Sequence, residues 1–212
     1  MEPVDFYHDC LERLQPGAPS EWPVIEAAYA PRPYHNLNHL REMLGHYAHI
    51  PESLQVASAR EGINTSALFG LALIYHDLVY VAGRKDNEAR SATKLIDDLG
   101  RIGTTDTVMV YVRRLIMATK SHQPSAEDAG AEALLIDLDL AVLARPAEGY
   151  ADYAKSVRKE FWKYPNFLYK PGRRKALLHF LEQPRIYHTS YFHDKWELAA
   201  RQNIARELES LM

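Results

Sequence analysis

Imidazole and carboxylate groups set among apolar neighbours are the chemistry this chain shows first. His76 and Asp77 follow the run Ala67-Leu68-Phe69-Gly70-Leu71-Ala72-Leu73-Ile74-Tyr75, and Asp137 and Asp139 interrupt Leu134-Leu135-Ile136-Asp137-Leu138-Asp139-Leu140. A carboxylate buried there without a partner costs several kcal/mol or is driven neutral. Two such intrusions call for a compensating charge, and a divalent cation supplies one. His35 and His39 are four apart, so on a helix they differ by about 40° in azimuth and share a face. His76 and Asp77 would lie about 100° apart and reach one ion from adjacent sectors. Asp137 and Asp139 would lie about 200° apart, so only one of them reaches the ion while the other caps or braces. A single Asp reads more simply as a cap or half of a buried salt bridge; the stretches together favour metal. Imidazole and carboxylate without thiolate suit Mn, Fe, Zn, Co or Ni, and are compatible with Mg.

The elements that must hold these groups read as helices almost throughout. Leu40, Met43, Leu44 and Tyr47 form one stripe between residues 38 and 50. Residues 66–80 are apolar all round, which suits a helix buried at the centre and carries His76-Asp77 within it. Asp86-Asn87-Glu88 opens a helix over 89–99 that Gly100 closes, and Thr104-Thr105-Asp106 caps another over 107–119. A loop at Pro124 precedes a helix over 131–143, which Arg145-Pro146 ends. Helices over 150–162 and 173–181 follow, separated by a turn region around Pro165 and Pro171-Gly172, and residues 195–211 form a polar-faced terminal helix. No repeat or long linker divides the chain. The prediction is one all-α domain over 1–212, a helical bundle with its core at about 22–182 and the terminal helix packed on it.

Composition narrows the function classes. The 212 residues are 47% apolar and 25% charged, the ordinary mixture of a globule. A net charge of −3 predicts neither a strongly basic nucleic-acid grip nor a polybasic handle for membrane. The lone Cys10 excludes a disulfide framework and a multi-cysteine zinc site. Met1-Glu2-Pro3-Val4-Asp5 has no basic region followed by an apolar stretch, and no window approaches 18 uninterrupted apolar residues. A reducing cytoplasm is the expected compartment.

The order His39, His76-Asp77, Asp139 resembles the H…HD…D pattern of the HD superfamily of metal-dependent phosphohydrolases. Tyr34-His35-Asn36-Leu37-Asn38-His39 is similar to the YHNxxH signature of the cyclic-nucleotide phosphodiesterases in that superfamily. From about Trp22 onward the chain also resembles a group of bacterial predicted HD phosphohydrolases, through stretches such as Ala118-Thr119-Lys120-Ser121-His122 and Arg158-Lys159-Glu160-Phe161. The resemblance implies an HD-type bundle in which His39, His76, Asp77 and Asp139 ligate the metal, with Asp139 preferred to Asp137. It implies that His35 protonates the leaving oxygen. The Glu that superfamily nucleotidases often carry after the HD pair is replaced by Leu78-Val79-Tyr80, so Glu88 or Asp86 would supply that carboxylate. With His122 the one further histidine between Asp77 and Asp139, a mononuclear centre is expected.

The activity so implied is hydrolysis of a phosphate ester, on a nucleotide or another small phosphorylated metabolite, with Asp77 or Glu88 orienting the attacking water. Cationic donors for the phosphate are sought among Arg84, Lys85, Lys120, Arg158 and Arg173, with Lys120 and Arg158 foremost. For any one of them, a solvated charge or an ion pair with Glu160 or Glu88 is the simpler reading. His122 divides evenly between added ligand or phosphate donor and helix cap. His46 and His49 read as a partly exposed flank, His179, His188 and His193 as structural, and His8 as exposed. Tyr34, Tyr75 and Tyr80 either line a base- or sugar-accepting pocket or serve as core aromatics. Two alternatives stand beside hydrolysis: an HD-type di-iron oxygenase, and a non-catalytic nucleotide-binding regulatory module. A small phosphorylated molecule is the expected partner, and a homodimer is the assembly considered.

Overall fold

Helix α4 (Thr65–Tyr75) is the axis of the protein: every residue in it except Ser66 is buried. The structure, a computed structural model, describes residues 1–56, 63–125 and 129–211. Around α4 stand α1 (Pro3–Leu14), α2 (Trp22–Tyr29), α3 (Leu37–Tyr47), α5 (Asn87–Arg101), α6 (Asp106–Ser121) and α7 (Ala129–Asp139). Helices α8 (Ala147–Glu160), α9 (Asn166–Glu182) and α10 (Ser190–Ser210) complete the bundle, and 3-10 turns occupy Glu52–Leu54 and Leu140–Ala144. Among the described residues there is no β-strand, so the chain is all-α as its periodicity predicts.

Packing follows the apolar stripes. Helices α1, α5 and α6 pack on α4, α5 lies along α6, and α6 passes to α7. Gly70 is where α1 comes closest: a Cβ there would run into the Cys10 sulfur and the Phe6 ring. Helix α10 covers the 3-10 turn at Leu140–Ala144 and touches α8 and α9. The core reaches beyond the expected 22–182. Phe6, Tyr7, Cys10 and Leu11 of α1 join it at one end, and Phe192, Trp196, Ala200 and Ile204 of α10 at the other, each set at helical spacing.

Several boundaries differ from expectation. Helix α4 stops at Tyr75, so His76 and Asp77 lie at its C-terminal end and not inside it. Helix α5 runs through Gly100 to Arg101, and the reversal falls on Gly103, whose φ of +76° suits a residue without Cβ. The helix expected over 131–143 ends at Asp139 and tightens into the 3-10 turn. Helix α9 begins at Asn166 and continues through Pro171. Proline there removes one bond, from the carbonyl of Phe167, a residue 75% exposed where water can replace the donor.

Candidate metal centre

Asn36 sets the entrance to the site. Its side-chain oxygen accepts the N–H of Asn38 at 2.8 Å and caps α3, while its amide donates to the Arg32 carbonyl at 2.9 Å. His39 therefore sits in the first turn of α3, whereas His35 precedes the helix. The helical face that four-residue spacing predicted for the pair is not how they meet; the chain before the cap brings the rings to 6.2 Å.

The end of α4 is clamped from the same region. Tyr29 donates its hydroxyl to the carbonyl of Ile74 at 2.7 Å, and Arg32 donates to the carbonyls of Asp77 at 2.5 Å and Leu78 at 2.6 Å. These bonds satisfy carbonyls that a helix end leaves open and fix the His76-Asp77 turn. His76 Nδ1 faces the Leu73 carbonyl at 2.8 Å. A carbonyl can only accept, so the proton is on Nδ1 and Nε2 is left to bind.

His76 Nε2 is the telling atom. It is buried, lies 3.2 Å from Asp77 Oδ2 and 3.5 Å from Asp139 Oδ1, and makes an aligned hydrogen bond to neither. His39 Nε2 comes within 3.1 Å of Asp139 Oδ1, and its Nδ1 faces the Tyr34 hydroxyl at 3.2 Å. One ligand atom from each of His39, His76, Asp77 and Asp139 lies within 4.8 Å of the others. Two imidazoles and two carboxylates at that separation could hold a metal ion, and an ion would give the bare Nε2 its partner.

Asp139 and Asp137 divide as their angular offset requires. Asp139, the last residue of α7, turns to the cluster. Asp137 turns away and accepts from the backbone N–H of His188 at 2.7 Å, the N–H of Thr189 at 2.8 Å and the Thr189 hydroxyl at 2.6 Å. Burial pushes Asp137 up to about 6 against those donors. Its role is to brace the start of α10. His122, at the C-cap of α6 with φ +52°, brings Nε2 to 3.6 Å from Asp139 Oδ2. His188 Nε2 donates to the carbonyl of His122 at 2.9 Å and helps hold that left-handed backbone.

His35 is held on both sides. Glu160 Oε1 accepts the backbone N–H groups of Tyr34 and His35 at 2.9 Å each, and Oε2 accepts Nδ1 of His35 at 2.6 Å. Nε2 of the same ring lies 3.8 Å from Asp77 Oδ2, and Tyr80 stacks on its face at 4.0 Å. Burial works to lower the imidazole, but Asp77 and Glu160 outweigh it and raise it above the ordinary histidine value. For Asp77 burial acts in the other direction, and His76 with His35 holds the carboxyl well below the usual range.

A cleft of about 230 Å³ opens over these groups. His35, Asp77 and Asp139 line it together with Glu88, Lys120 and His122. Arg173 reaches its wall but is paired with Glu207 at 2.8 and 2.9 Å and with the Tyr153 hydroxyl at 3.3 Å. Arg158 does not line the cleft, contrary to expectation. Its guanidinium closes the turn after α8, donating to the carbonyls of Phe161 at 2.8 Å and Tyr164 at 3.0 Å and to the Asn166 side chain at 3.0 Å. Arg84 pairs with Asp86 in solvent, and Tyr75 donates to Asp98, away from the cluster.

Sequence reasoning missed Glu160, Arg32 and Tyr153. Glu160 carried a signal: Tyr150, Tyr153 and Val157 are the buried stripe of α8, and the next inward position is 160. An acid there invites the question that Asp137 did. Arg32 carried none, because its partners are backbone carbonyls 45 and 46 residues away. Compared with protein-family models, curated proteins and solved structures, the chain matches none.

Proposed function

We propose that the protein is a metal-dependent phosphohydrolase of the HD type, acting on the phosphate ester of a nucleotide or another small metabolite. The observation that carries the reading is the bare, buried His76 Nε2 between two carboxylates, Asp77 and Asp139, which themselves line the cleft that also holds His35. A divalent ion held by His39, His76, Asp77 and Asp139 would supply Lewis-acid polarisation of phosphate and acidify a water at neutral pH. His35 is the general acid: with Nδ1 tied to Glu160, Nε2 is the atom that delivers a proton to the leaving oxygen. Glu88 and Lys120 line the cleft; in this reading Glu88 takes a proton from the attacking water and Lys120 offers its ammonium to the phosphate oxygens.

The test is metal content followed by turnover on a panel of phosphate esters under several divalent ions. His76→Ala and Asp77→Ala are expected to lose bound metal and activity together. Turnover that survives intact in either variant overturns the assignment. The position of His122 beside Asp139 favours a second reading, an HD-type di-iron oxygenase with His122 as an added ligand. Two irons per chain with a mixed-valent EPR signal would put that reading first.

A further inference from the structure

Four large apolar side chains stand in solvent within seven residues. Trp162 is 72% exposed, Phe167 75%, Leu168 55% and Tyr164 36%. Val81, 49% exposed, belongs to the neighbouring loop, which Gly83 (φ +83°) brings so close to the Tyr164 ring that a Cβ would strike its hydroxyl. Solvent-facing apolar groups gathered this way mark an interaction surface. The surface is also rigid: the three bonds of Arg158 close the turn, and its guanidinium lies 4.6 Å over the Tyr169 ring. Tyr169 is thus turned inward while Phe167 and Leu168 are held out, so docking need not order the segment.

Charge surrounds the patch. Between residues 152 and 175 stand eight basic residues against two acids, a net of +6, in a chain whose total is −3. Of the two, Glu160 is turned inward onto His35, and Asp152 pairs with Lys155 at 3.0 Å. Lys155, Lys159, Lys163, Arg174 and Lys175 are exposed. The mild total conceals one strongly basic segment, the one that carries the exposed apolar side chains.

We propose that this segment docks the protein on the surface of a bilayer rich in anionic phospholipid. Trp162 and Tyr164 suit the headgroup level, Phe167 and Leu168 the acyl boundary, and the lysines the negative surface potential. Among the described residues no helix is long and apolar enough to cross a membrane, so the contact is peripheral. A second copy of the chain fits less well, because a two-fold contact would set this basic segment against itself. Nucleic acid fits less well too. Of the segment's three arginines, Arg158 and Arg173, with the fork geometry that phosphate recognition uses, are engaged by carbonyls and by Glu207, which leaves Arg174 among exposed lysines, and aliphatic Leu168 and Val81 share the patch with the aromatic rings. Tyr80 and Phe161 line the cleft and directly precede Val81 and Trp162, so the docking face adjoins the cleft mouth. The inference does not depend on the phosphohydrolase reading.

The full chain is mixed with extruded phosphatidylcholine vesicles, with and without roughly one third phosphatidylserine, at ~0.1 M and ~0.5 M salt. Partitioning is expected to be about tenfold or more higher on the anionic vesicles and to weaken at the higher salt. Tryptophan emission is expected to move to shorter wavelength on binding; Trp22 and Trp196 are each 8% exposed, so Trp162 carries the change. Trp162→Ser with Phe167→Ser, and separately Lys159→Glu with Lys163→Glu, should each lower partitioning about tenfold while leaving the melting temperature unchanged. Equal partitioning on neutral and anionic vesicles, or binding that neither pair weakens, overturns the proposal. So does failure to bind vesicles while these variants abolish self-association or binding to a single-stranded oligonucleotide.

Discussion

Glu160 decides what His35 can do. Its two oxygens take the ring's Nδ1 and two backbone N–H groups, so the imidazole is fixed in place and its free nitrogen faces Asp77. In the phosphohydrolase reading, His35→Ala should keep the metal and lose roughly 10²–10⁴-fold in kcat, the usual worth of a positioned acid. Loss of the metal instead would make His35 a ligand. Glu160→Gln removes the carboxylate that keeps the proton on Nδ1, so kcat should fall by about 100-fold with metal content unchanged and the pH profile displaced. A wild-type rate and profile in that variant would show that Glu160 only braces the backbone. The histidines and aspartates were legible because charge in an apolar run has few explanations; the hydrogen-bond partners of their side chains were not, being up to 125 residues away.

Helix ends, more than helix interiors, position the site. Asp77 follows the close of α4, His122 caps α6, Asp139 is the last residue of α7, and His39 sits in the first turn of α3. Helix interiors were readable from the 3.6-residue period, but their ends depend on who satisfies the open carbonyls and N–H groups. For α10 that partner is Thr189, whose hydroxyl accepts the N–H of Phe192 and which Asp137 in turn holds in place. Asp137→Ala strands two backbone donors, and each unmet buried donor costs about 1–3 kcal/mol. Unfolding in urea should show a loss in that range or somewhat above it, and, in the metal-dependent reading, bound metal should be unchanged because Asp139 is untouched. Unchanged stability would mean that water replaces the carboxylate at no cost.

At the scale of the molecule, α1 seals the core over α4. Burial pushes the Cys10 thiol up to about 12, with Asp9 adding to the rise and Arg13 opposing it. The native thiol therefore keeps its proton where an unfolded one, at about 8.5–9, has lost it. Its contribution to stability is whole below that ordinary value and is lost as pH climbs toward 12. Maleimide labelling of Cys10 at pH 8 should be slow in buffer and rise with denaturant along the unfolding curve. Rapid labelling of the native protein would mean that α1 opens independently. Gly70, packed under the Cys10 sulfur, leaves no room for the Cβ that alanine would add.

The sequence alone determined the all-α class and the candidate ligand groups, because hydrophobic period and the cost of buried charge are local properties. It also left an even choice between Asp137 and Asp139 on geometry, since a helix gives directions and not the identity of what lies in each. Only the tertiary structure decided that choice, by placing Thr189 on one side of α7 and His39 on the other. The same holds for the pairing of Glu160 with His35 and for the clamp of Arg32 on the carbonyls after α4. Each depends on contacts between distant segments, and those exist only once the helices have packed.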